Sequence, residues 1–179
     1  MNVVRQGAAL LASVVITASA TACTSSNEGL DVPGKFCGAP VKKSVLSPLL
    51  PEGKDLEAQQ SGSEATEILC SLHVDGVQVL TSTIRTTDQP LPPEDWNTAL
   101  AKYSKAKKRE VSFAGAAVIG ANGARATAKC QPDASSAFLI FNIDLQGDQI
   151  DNSQSGVKKL QGFLENYVPA MTKYLDCTT

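Results

Sequence analysis

Histidine occurs once, as His73, tryptophan once, as Trp96, and aromatic residues make up only 5% of the 179 positions. A Ser-His-Asp or Cys-His catalytic site would therefore have to use His73, and a zinc site made of histidines and thiolates is disfavoured because the domain cysteines are expected to be oxidised. Cys-x-x-Cys is missing, so thiol–disulfide exchange lacks its usual signature. The glycines Gly115, Gly120 and Gly123 are not followed by the Gly-Lys-Ser/Thr ending that cradles phosphate. Neither charge dominates: 16 Lys and Arg against 18 Asp and Glu give a net charge of −2. That balance is neither a polycation for nucleic acid nor an acidic tail, and no nucleic-acid partner is expected. Ser104 with Lys107, and Ser155 with Lys158, match a Ser-x-x-Lys spacing, but the companion Ser-Asp-Asn and Lys-Thr-Gly elements are missing, so both read as chance. Asp144, Asp148 and Asp151 flank Gly147 without the EF-hand spacing or its closing Glu, and read as a polar turn rather than a calcium loop. No metal site and no cofactor is expected.

What the chain does have begins at its N-terminus. Arg5 precedes an apolar run over residues 7–20, and Ala20 and Ala22 provide the small residues of a cleavage site, so residues 1–22 read as a secretory signal. The run is rich in Ala, Ser and Thr and makes a poor transmembrane helix, which needs about 20 strongly apolar residues. Ordinary signal peptidase accepts this site, but Cys23 immediately after it also completes a bacterial lipobox. The polar residues 24–29 then form a tether. Cysteine arithmetic favours the lipobox. Five cysteines leave one unpaired in an oxidising compartment; with lipid on Cys23, the remaining Cys37, Cys70, Cys130 and Cys177 can pair completely. A diacylglycerol thioether (palmitate-type chains) buries ~0.8 kcal/mol per methylene, and two chains anchor stably. The expectation is a lipoprotein on the outer face of the cytoplasmic membrane: signal 1–22, lipidated cysteine and flexible tether 23–35, and one domain over 36–179. Loss of Arg5 takes the net charge from −2 to −3.

Within the domain, Val41, Val45, Leu46 and Leu49 predict a short first helix ended by Pro48 and Pro51. Residues 57–64 are polar and read as a loop. Asp75 and Gly76 sit between alternating segments and predict a two-residue hairpin pairing Val74 with Val77, Leu72 with Val79 and Cys70 with Thr81. Ile68, Cys70, Leu72, Val74, Val77 and Val79 would then share the core face, with His73 on the opposite one. Pro93 followed by Trp96, Leu100 and Tyr103 predicts an amphipathic helix. A second hairpin turn is expected at Asn122 and Gly123, then a strand with Leu139, Phe141, Ile143 and Leu145 facing inward. The last helix, capped near Ser153 or Ser155, carries an apolar stripe through Val157, Leu160, Leu164, Tyr167, Val168, Met171 and Leu175, with a kink or break at Pro169. The class is α+β: an antiparallel sheet of about five strands with helices on one face. Four cysteines allow three connectivities. The sequential one, Cys37 with Cys70 and Cys130 with Cys177, joins elements that must pack anyway.

The Cys23 lipobox, a short helix opening with Cys37, the strand holding Cys70, the stretch GAAVIGANGARA and the final helix together resemble small actinobacterial lipoproteins grouped as a domain family of unknown function. The resemblance implies a cell-envelope location and supplies no catalytic residue.

Function is read least directly. Lys102, Lys105, Lys107, Lys108 and Arg109 concentrate five cations where a helix end would be solvated, and a sharper reading is a patch for anionic lipid or wall polymer. The sheet face bearing Leu69, His73, Gln78, Leu80 and Ile84 is a candidate contact surface. The expected function is a non-enzymatic binding module at the envelope, its partner a membrane through the anchor and an envelope protein or small molecule besides. The alternatives are an envelope hydrolase using paired carboxylates and a structural accessory lipoprotein.

Overall fold

The computed structural model describes residues 29–63, 66–147 and 151–177. The signal segment, Cys23 and Asp148 lie outside the described residues. The packed body starts ahead of residue 36, because Leu30 and Val32 are already buried in the core. A small hairpin follows, β1 (Lys35–Phe36) and β2 (Ala39–Pro40), closed by Cys37 and Gly38, both at positive φ. Cys37 therefore sits in a turn rather than opening a helix. Helix α1 (Lys43–Leu46) begins later and runs into a 3-10 turn, Ser47–Leu49.

The main sheet has seven strands rather than about five, in the order β3-β4-β5-β9-β8-β7-β6, all antiparallel: β3 (Leu56–Ser63), β4 (Glu67–Val74), β5 (Val77–Thr87), β6 (Lys107–Arg109), β7 (Gly115–Ile119), β8 (Gly123–Lys129) and β9 (Phe138–Leu145). The extra strands are the two edges. β3 occupies residues expected to form a loop; nearly all of its side chains are exposed, so it carries no apolar alternation to read, and backbone pairing with β4 holds it. β6 takes cation-bearing residues expected at a solvated helix end. That helix, α2 (Pro93–Lys102), stops at Tyr103, and Lys105 at φ 54° turns the chain back onto the sheet edge.

Asp75 and Gly76, at φ 51° and 79°, close the β4–β5 hairpin as expected and pair Val74 with Val77. Beyond the turn the expected register fails. An irregularity at Leu72 and His73 places Leu72 opposite Leu80 and Cys70 opposite Ser82. One extra residue in β5 reverses which side chains face inward. Leu80 and Ile84, expected on the open face, are thus buried at 0% and 1%, while Val77, on the turn side of the irregularity and still opposite Val74, is 61% exposed at the end of the hairpin. The β7–β8 turn also lies one residue early: the Gly120 amide donates to the Gly123 carbonyl, so Ala121 and Asn122 form the loop.

Helix α3 (Gln154–Tyr174) is capped by the Ser153 hydroxyl, which accepts from the Ser155 amide. Its expected stripe from Val157 to Met171 is buried on the face of the sheet that also receives β1, β2 and α1. Pro169 does not break it: that residue is exposed, the helix continues to Tyr174, and Thr172 Oγ1 donates to the Pro169 carbonyl. The helices do not share one face. α2 packs through Ala99 and Tyr103 against Val118 on the opposite side, over β7 and β8. The cysteines pair sequentially, Cys37 with Cys70 and Cys130 with Cys177, at separations of 33 and 47 residues.

Candidate functional site

A cleft of about 720 Å³ opens at the end of the sheet where the β4–β5 turn, the end of β9 and the start of α3 meet. Its position follows from the local chain. The hairpin ends in Val77, which is largely exposed and lines the cleft, and the prolines Pro48 and Pro51 hold the 3-10 turn and following loop as the opposite wall. Val74, Val79, Leu145 and Ala121 supply an apolar floor, and Leu49 and Leu50 a side wall. Gly156 brings the first turn of α3 hard against the Asp151 carbonyl, leaving no room for a Cβ there, and so seats the helix at the cleft.

The rim is polar. Asp75 accepts hydrogen bonds from the amides of Asp55 at 2.9 Å and Lys54 at 3.0 Å, and these hold its carboxyl below the usual range. Asp151 accepts from the Ser153 amide at 3.0 Å and meets Lys159 Nζ at 3.4 Å. Hydrogen bonding from Ser153, reinforced by Lys159, likewise lowers its pKa. Glu52 and Gln146 complete the edge. Apolar burial with acceptors at the mouth suits an amphipathic molecule. A glycosidase-type site would need a carboxyl whose pKa is raised to act as an acid, and Asp75 and Asp151 are both shifted the other way.

Asp151 apart, the candidate site residues singled out by sequence lie elsewhere. His73 is half-buried on the sheet face away from α3, as expected, with Nε2 3.0 Å from Ser71 Oγ. Strand β3 adds what sequence missed, Glu57 directly opposite His73 in register. An acid, an imidazole and a hydroxyl therefore share one face. The backbone of these strands is paired in the sheet ladder. The five cations do not converge. Lys102 pairs with Asp144 at 2.6 Å, Lys105 sits at the turn, and Lys107 and Arg109 point to the face opposite that of Lys108. Asp144, engaged with Lys102, and Asp151, engaged with Ser153 and Lys159, do not cluster, and no group of three metal-binding side chains exists among the described residues. Ser155 and Lys158 are both exposed on α3. The cleft residues themselves gave no sequence signal, because they come from five separate segments and each reads locally as turn or core.

Comparison of the chain with protein-family models, with curated proteins and with solved structures gave no match.

Proposed function

We propose that the protein is a non-enzymatic binding module of the cell envelope, held at the outer face of the cytoplasmic membrane by lipid on Cys23, with the cleft at the head of α3 as its ligand site. The cleft carries this reading: an apolar floor of side chains from β4, β5 and β9 beneath a rim of Glu52, Asp75, Asp151 and Lys159. Its volume falls within the range of about 300–1,000 Å³ typical of small-molecule sites. Two disulfides support an oxidising, extracytoplasmic compartment. The sheet face around Leu69 and His73 and the cations from Lys102 to Arg109 offer weaker surfaces, since one is flat and the other divided between two faces.

The test is titration of an environment-sensitive apolar fluorophore into the purified protein, in parallel with Leu145→Arg, which places a cation on the floor of the cleft. Saturable binding by the parent and its loss in the variant, with melting curves showing both folded, is the expected outcome. Equal binding by both proteins, or none by the parent, disproves the site. Intact mass of membrane-extracted protein reports acylation of Cys23 in the same preparation.

A further inference from the structure

The cleft and the start of the packed chain lie at the same end of the molecule. Gly29 rests against Gly53: a Cβ built on it would stand 3.3 Å from the Gly53 carbonyl oxygen. Gly53 in turn leaves no room for a side chain against Val74, and a Cβ there would stand 2.9 Å from Asp75 Oδ2. Val74 and Asp75 line the cleft, as does Glu52, the neighbour of Gly53. Cys23 precedes Gly29 by only six residues, which span at most about 20 Å fully extended. An anchor on Cys23 therefore holds the cleft end, and not the opposite end of the sheet, close to the bilayer.

Two more features of this end fit a membrane supply. Val77 is an apolar lining side chain left 61% exposed, and Pro48, also of the lining, is exposed as well. The lining carries three carboxylates, Glu52, Asp75 and Asp151, against one ammonium, Lys159, so the rim disfavours an anionic head group. The volume suits a single acyl chain better than a pair.

We propose that the cleft takes up one acyl chain of a single-chain membrane lipid with an uncharged head, of the monoacylglycerol kind, entering past Val77 from the bilayer to which Cys23 is anchored. This rests on the cleft being the ligand site. The bilayer is preferred to the protein's own anchor as the source, because withdrawing an anchor chain would weaken the attachment that two chains secure.

The experiment uses the acylated full-length chain carrying Trp96→Phe and Val77→Trp, which moves the lone indole to the cleft mouth, reconstituted in phosphatidylcholine vesicles. A monoacylglycerol with a dibrominated chain is added as quencher. The expected result is saturable quenching, competed by unlabelled monoacylglycerol and not by an equal amount of lysophosphatidylglycerol. Leu49→Asp, which puts a charge on the side wall, should weaken uptake roughly tenfold, the effect of losing about one buried apolar side chain. Quenching untouched by competitor or by Leu49→Asp would show mere proximity to the bilayer and overturn the proposal, as would no quenching at all. Quenching seen only after Cys23→Ser would mean that the anchor itself fills the cleft, which also overturns the proposed source. Each of these failures leaves the fluorophore titration intact, so they are distinguishable from failure of the binding site as such.

Discussion

Tyr167 Oη lies 3.1 Å from Ser82 Oγ in the middle of the core, joining α3 to the interior strand β5 where neither hydroxyl meets water. The tyrosine ring is also stacked on Phe163 at 5.0 Å and contacts Phe36 and Phe141. Removing one hydroxyl strands the other, and a buried orphan costs about 1–3 kcal/mol. Tyr167→Phe and Ser82→Ala should each lower stability by that amount in chemical denaturation. The double variant should fall well short of the sum, because no orphan remains. Additive losses would show that the two hydroxyls do not depend on each other.

The two disulfides close long loops, and restriction of the unfolded chain gives about 4 kcal/mol for each. Cys37→Ala with Cys70→Ala frees the N-terminal hairpin from β4. Cys130→Ala with Cys177→Ala frees the end of α3 from the region after β8. Each pair of substitutions should lower Tm by roughly 10 °C in a domain of this size. Calorimetry of the two double variants checks this, and an unchanged Tm for either would mean that strain in that bridge offsets its benefit.

What sequence made legible was what local chemistry decides. Asp75 and Gly76 form a turn in any context that tolerates positive φ, and the stripe of α3 and the Trp96, Leu100, Tyr103 face of α2 are periodicities within one element. The rest depended on neighbours distant in sequence. β3 is a strand only because β4 lies beside it, and its polar side chains leave no trace of that pairing. The bulge opposite Leu72 moved Leu80 and Ile84 to the core, and a single inserted residue has no signature in an apolar run. The cleft is harder still to read, since its lining comes from five separate segments of the chain.

Gly120 and Gly123 form the slot that receives Tyr103. A Cβ on Gly123 would run into the Tyr103 ring and stand 2.7 Å from the Ile143 carbonyl, and one on Gly120 would stand 2.7 Å from the Ser104 carbonyl. The Ile143 carbonyl cannot yield without disturbing β9, so Gly123→Ala should cost about 1–3 kcal/mol by overpacking. Gly162→Ala is the contrasting case. That glycine lies inside α3 with nothing within 4 Å of the built Cβ, and alanine there should stabilise by about 0.5–1 kcal/mol. Thermal melts of the two single variants should shift in opposite directions.

Stability should also bend at both ends of the pH scale, for different residues. Asp75 and Asp151 have their carboxyls held below the ordinary value of 3.8 by amide and side-chain hydrogen bonds, so they contribute stability above that value and lose it as pH falls through their lowered pKa. Tyr103 and Tyr167 are shifted the other way. Burial is the main cause in both, with the Asp144 charge adding at Tyr103, and both stay neutral in the fold above the ordinary 10.0. The unfolded chain ionises near that value while the folded one does not, so this stabilisation is complete below pH 10 and drains away above it. In urea titrations at stepped pH, Asp75→Asn should flatten the acid limb alone. Tyr167→Phe should flatten the alkaline limb alone, and an unchanged alkaline slope in that variant would show that Tyr167 is not the group that resists ionisation.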